Sequence, residues 1–198
     1  MTTETIQDDL AFIKKIVEES RKNVGLSGDH LIVWGLLVSI GLMVTWANHY
    51  FQWHASEWLH WILVIGGGWL FEIIYGRTVD RKKPVLTYAE KIDGFLWLSI
   101  GITMTLLGFI GIGTHGIHPH VISPIFSTIL AIGYFSSGVI YDVKWIRNLA
   151  FGWWGGAIIM FIFPGLYHLL FMAAMMVVLQ TIPGFIIKKT WGEKYGVN

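Results

Sequence analysis

His54, Glu57 and His60 form an H-x-x-E-x-x-H pattern with spacing i, i+3, i+6. On a helix these side chains fan across about 120° of one face. Glu57 to His60 is also the Glu-x-x-His spacing that carboxylate-bridged metal sites use in helical bundles. A second group, His115, His118 and His120, follows further along the chain, and His49 and His168 flank the ends of other apolar runs. Neutral imidazole is the commonest protein ligand for Zn, Cu, Ni and Fe. The chain has no cysteine, so the ligands would be nitrogen and oxygen. Three histidines with Glu57 or water would make an ordinary tetrahedral Zn site. Haem b is a sub-case that needs two histidines on different helices, such as His49 or His60 with His115 or His168, and the spacing prefers no pair. Two other readings of the same residues stay open. Histidine is amphipathic and suits a membrane interface among Trp and Tyr, and it is also the side chain that senses pH.

The elements that must position these residues follow from composition. Of 198 residues, 54% are hydrophobic and 14% charged, where a soluble domain carries about 25% charged. That excess cannot be hidden inside a soluble domain of this size, so a soluble enzyme, a secreted scaffold and a disordered chain are excluded. Six apolar runs stand out, roughly Leu31 to Tyr50, Trp58 to Gly76, Gly94 to Gly113, Pro119 to Tyr141, Trp145 to Phe163 and Leu166 to Lys188. Each is long enough for a tilted helix across a bilayer, whereas barrel strands would alternate over about ten residues. The expected fold is all-α and polytopic, with six transmembrane helices in three hairpins. The first run reads as a retained span and not as a signal peptide. Residues 1–28 form a polar arm, 29–189 the membrane domain and 190–198 a tail.

All 14 basic residues fall on one side of this topology. Lys14, Lys15, Arg21 and Lys22 precede the first run, and Arg77, Arg81, Lys82, Lys83 and Lys91 separate the second and third. Lys144 and Arg147 separate the fourth and fifth, while Lys188, Lys189 and Lys194 follow the sixth. Lys and Arg concentrate in cytoplasmic loops, so both termini are expected in the cytoplasm. Seven of the eight histidines then lie at the outer face, where Glu57 is the only acid. Tyr50, Trp53, Trp58 and Trp61 surround the first outer loop as an aromatic belt would.

Within the arm, Ile6, Leu10, Ile13, Val17, Ser20 and Val24 follow an a/d stripe, widened by Phe12 and Ile16. From Glu4 to Lys22 the arm holds five acids and four bases. That balance offers anionic lipid little attraction and favours an amphipathic helix that docks against the cytoplasmic loops or pairs with a second copy, the homodimer contact being the expectation. Asp29 and Asp93 are expected to cap the first and third helices, and Asp142 to cap the fifth or join an ion pair. Gly35 with Ser39, and Gly152 with Gly156, give spacings for close helix packing. Ile62-Leu63-Val64-Ile65-Gly66 and Ile129-Leu130-Ala131-Ile132-Gly133 match each other, as a weak internal repeat would and as chance recurrence of Leu, Ile and Gly in apolar helices also would.

The segment Ile13 to Lys22, then Gly28 and Trp34-Gly35-Leu36-Leu37-Val38, resembles the opening of a family of small bacterial integral membrane proteins. Gly133 to Gly138 and Trp153-Trp154-Gly155 resemble its later spans. The resemblance implies a bacterial cytoplasmic (inner) membrane origin. That family has no assigned activity, so no site residue is carried over.

Three functions compete. The first is a non-enzymatic sensor or accessory protein that binds a transition metal (Zn, Cu or Fe) or haem b through His49, His54, Glu57, His60, His115, His118, His120 and His168. The second is a small channel or transporter using Glu72, the acid well within a span, where ionisable residues are expensive. Glu72 lies near the end of its run, where pairing with Arg77 is the alternative. The third is a metal-dependent hydrolase with Glu57 as general base. The expected partners are the lipid bilayer and a second copy of the chain. No phosphate loop, nucleophile elbow or basic nucleic-acid stripe is present.

Overall fold

The computed structural model of the protein describes residues 28–78 and 87–195, with side chains to 190. All regular structure in this range is helical. The proposed amphipathic arm and its dimer contact lie outside the described residues, apart from Gly28. The helices are α1 (Gly28–Tyr50), α2 (Glu57–Thr78), α3 (Tyr88–Leu106), α4 (Pro119–Ile140), α5 (Lys144–Ile162), α6 (His168–Met176) and α7 (Ile182–Tyr195). A π-helical turn, Leu107–Gly111, extends α3, and another, Val177–Thr181, joins α6 to α7 in one rod.

Five of these units are long and apolar enough to cross a membrane: α1, α2, α3 with its π-turn, α4, and the α6–α7 rod. The fifth apolar run does form a helix, α5, of 19 residues. Lys144, Arg147 and Asn148 in its opening turns lower its hydropathy, and it is not among the five.

Capping differs from the sequence expectation. Thr87 caps α3 with a full capping box: its side chain accepts from the Glu90 amide, and the Glu90 carboxylate accepts from the Thr87 amide. The helix therefore starts ahead of Asp93, which becomes a buried residue of its interior instead of a cap. Asp29 lies inside the first turn of α1, and its carboxylate goes to Lys188 and Tyr75. At α5 the N-cap position belongs to Val143, so Asp142 does not cap it. Asp142 instead takes a positive φ in the α4–α5 turn.

Lipid does not drive apolar helices together, so close steric fit decides the packing. Where α1 crosses α7, Gly28 and Gly184 bring the backbones together; a Cβ on Gly28 would fall 2.3 Å from the Gly184 carbonyl oxygen. Gly35 admits the Thr181 hydroxyl, and Ser39 Oγ donates to the Ala173 carbonyl at 3.1 Å. The expected small-residue spacing thus seats α1 on the α6–α7 rod. The Gly152–Gly156 pair does the same for α5, against Leu179 and Met175. Leu31, Leu130, Tyr134, Trp153, Met160 and Met176 fill the core between these helices.

Helices α2 and α3 sit at the periphery, each only 6% buried, against 33% for α1 and 50% for α4 and the α6–α7 rod. Indole rings laid on glycines attach them. Trp34 covers Gly68, Trp61 covers Gly41, Trp69 covers Gly101 and Trp97 covers Gly133. Gly66 and Gly67, by contrast, face open space.

Glycine substitutions should separate these roles. A Cβ at Gly138 would fall 2.4 Å from the Arg147 amide nitrogen, so Gly138→Ala should force α4 from α5 and destabilise by about 1–3 kcal/mol. Gly67→Ala meets nothing and should stabilise the helix by about 0.5–1 kcal/mol. Thermal unfolding in detergent compares them, and equal effects would contradict this packing.

Candidate functional site

Chemistry-bearing side chains gather at both ends of the bundle. At the histidine end, Asn48 closes the α1–α2 loop by accepting from the Ala55 amide at 2.9 Å and donating to the Ala55 carbonyl at 3.1 Å. This turn separates the H-x-x-E-x-x-H residues. His54 takes a positive φ of 55° in the loop before α2, a conformation that histidine adopts more readily than most residues. Glu57 opens α2 and pairs with His49 Nε2 at 2.6 Å.

His60 turns inward to Thr45, with Nε2 2.9 Å from Oγ1. The Thr45 hydroxyl already donates to the Gly41 carbonyl and accepts from Trp61 Nε1. Its one proton is spent, so His60 Nε2 must carry the hydrogen. His54, Glu57 and His60 are therefore not brought to a common point.

The second histidine group is partly assembled. His118 caps α4, with Nδ1 accepting from the His120 amide at 3.4 Å. Its ring stacks on His120 at 4.8 Å between centroids, and His120 meets His168 edge-on at 6.4 Å. His168 opens α6, is buried, and accepts from the Gly165 amide at Nδ1. Its other nitrogen, Nε2, is buried with no hydrogen-bond partner. A buried polar atom left unpaired costs about 1–3 kcal/mol. His115 stays in the loop before α4 with a φ of 58°. Among the described residues no three His, Asp or Glu side chains stand ready to hold a metal ion.

At the opposite, basic end, Glu72 pairs across α1 and α2 with His30 and Trp34, and not with Arg77. His30 Nδ1 lies 2.9 Å and 2.7 Å from the two carboxylate oxygens, and Trp34 Nε1 donates to Oε1 at 2.7 Å. Next to this pair, Asp29 accepts from Tyr75 at 3.1 Å and from Lys188 Nζ at 2.6 Å. One turn of α1 thereby holds both α2 and α7. Across the bundle, Asp93 accepts from Ser137 Oγ at 2.5 Å, and Trp97 Nε1 donates to the same hydroxyl at 3.0 Å. The Tyr141 hydroxyl also bonds to Asp93. Tyr141 is buried beside Asp93.

Sequence reasoning missed two of these residues. His30, the one histidine at the basic end, stands alone in the sequence, with its partner Glu72 42 residues away. Asp93 has the look of a cap ahead of the apolar run, but Thr87-x-x-Glu90 carries the spacing of a capping box and places Asp93 inside the helix.

The Glu72 assembly can be tested directly. Glu72→Gln keeps an acceptor for the Trp34 indole and should cost less than Glu72→Leu. The leucine strands both the indole and the imidazole, at about 1–3 kcal/mol. Thermal melts of purified protein rank the two, and a harmless Glu72→Leu would show that the contacts do not hold α2 to α1.

Comparison with known proteins finds no family model, no curated protein and no solved structure that matches this chain.

Proposed function

We propose that this chain is a non-enzymatic integral membrane protein of sensor or accessory type that takes up a transition-metal ion at the histidine end of α4 and α6. The observation that carries this reading is His168 Nε2, a buried nitrogen without a partner beside the ring of His120; it becomes a ligand atom when the ring hydrogen moves to Nδ1 and the 3.4 Å bond from the Gly165 amide is given up. His120 is exposed and in edge contact with His168, and His118, also exposed, can turn toward them once its cap bond from the His120 amide is given up. With no thiolate in the chain, the donor set suits Zn²⁺ or Cu²⁺. His120 and His168 are in edge contact and do not flank a slot wide enough for a macrocycle, which favours an ion over haem.

The reading extends to location and assembly. One-sided placement of Lys and Arg supports both termini inside, the resemblance of the opening segment to small bacterial membrane proteins supports a bacterial cytoplasmic membrane, and the a/d stripe of the arm supports pairing of two copies. Glu57 is already engaged by His49, so a hydrolase lacks its free base. Transport through Glu72 is favoured less, because two donors occupy that carboxylate.

Metal uptake by the purified protein is the direct test. Equilibrium dialysis with Zn²⁺ or Cu²⁺, read by elemental analysis, should give stoichiometric binding. His118→Ala and His120→Ala should weaken that binding at least about tenfold, while His54→Ala and His115→Ala leave it unchanged. Absent binding, or equal losses from all four substitutions, overturns the proposal.

A further inference from the structure

Asp93 is the acid of the apolar domain that burial and pairing leave most isolated. It is buried, and none of the ion pairs among the described residues includes it. Glu72, His49, Glu57 and Asp29 all have charged or imidazole partners. The groups that bond to Asp93 are Ser137 and Tyr141 from the α4 side and Trp97 from its own helix, and Glu90 acts on the neighbouring Tyr141. None of these supplies positive charge. An unpaired carboxylate in such surroundings is costly and marks function by default, and hydroxyl and indole donors offset only part of that cost.

A second observation points to the same place. A crevice too narrow for a water molecule lies against this network, lined by Leu31, Trp97, Tyr134, Ser137, Ile146 and Ile187. Tyr134 is buried in its wall, and its hydroxyl has no hydrogen-bond partner. Helices α1, α3, α4, α5 and α7 converge on this point. A small separation of α3 from α4 would therefore admit water to both the orphaned phenol and the carboxyl group.

We propose that Asp93 is a proton-binding site of the membrane domain: it carries a proton while α3 and α4 are closed and releases it to water when they part. The step balances simply. The carboxyl O–H bond breaks, the proton passes to an entering water molecule, and the carboxylate left behind is hydrated by others. Ser137 and Tyr141 hold the closed state because both bond to the acid from the α4 side. This inference does not depend on metal binding at the opposite end.

Infrared difference spectra of the full chain in lipid nanodiscs, recorded through stepwise changes of pH, test it. The wild type should show the carbonyl band of a buried protonated carboxyl, lost as pH rises. The band should be absent from Asp93→Asn and retained in Glu72→Gln. No such band at any pH where the protein stays folded, or its persistence in Asp93→Asn, overturns the proposal. Loss of the band on adding Na⁺ at constant pH also overturns it, as the site would then be a cation site. If Asp93→Asn does not fold, Ser137→Ala decides the matter. That hydroxyl donates to the carboxylate and favours its charged form, so its removal should raise the midpoint by about one pH unit or more, and an unmoved or lowered midpoint overturns the role of Asp93.

Discussion

Where α1 crosses the α6–α7 rod, two glycines let backbone meet backbone, and much of the remaining structure depends on that closeness. With lipid on the outside, burying a leucine gains little over leaving it exposed, so helices associate through steric fit and polar ties. Gly28 against Gly184 and Gly35 against Thr181 fix the height and rotation of α1. That rotation directs Ser39 to the Ala173 carbonyl on one side and Trp34 to Gly68 on the other. Peripheral α2 is then placed by α1, and α3 by the seats that Gly101 and Gly133 offer to indole rings.

The same indoles connect packing to chemistry. Trp34 lies on Gly68 and also donates to Glu72, while Trp97 lies on Gly133 and donates to the serine that bonds Asp93. In each case one side chain attaches a peripheral helix and helps satisfy an acid at the basic end. The two acids nevertheless differ. Glu72 is half-buried and has an imidazole partner, whereas Asp93 is buried with neutral donors only. A contact that opens between α1 and α2 still leaves an ion pair able to reach solvent. Opening between α3 and α4 changes the surroundings of a carboxyl group that has no counter-ion, and so couples charge to helix position.

The apolar runs and small-residue spacings were legible because both are local. Runs of about twenty apolar residues specify helices of membrane length, and Gly35 with Ser39 specifies a close contact without naming its partner. The partners were not legible. His30 and Glu72 are separated by 42 residues and Asp93 and Ser137 by 44, and no periodicity encodes which faces meet. The start of α3 was misplaced for a different reason. Hydropathy begins at Gly94, but the helix begins where Thr87 and Glu90 satisfy its first amides, so Asp93 stands inside the helix and not at its cap.

The histidine-rich end shows most plainly how linear spacing differs from spatial grouping. H-x-x-E-x-x-H converges only if all three residues share a helix, and the Asn48–Ala55 clasp starts α2 at Glu57, leaving His54 behind in the loop. Glu57 is then free to meet His49 from the end of α1, and His60 is drawn to the hydroxyl of Thr45. His118, His120 and His168 lack a helical spacing, yet the approach of α4 to α6 sets their rings in sequence. What distinguishes this group is the depth of its innermost member. His49 is paired and exposed, whereas His168 carries a buried nitrogen that nothing in the fold satisfies. With Nδ1 accepting from the Gly165 amide, Nε2 carries the proton, and a donor kept dry at such a position is costly.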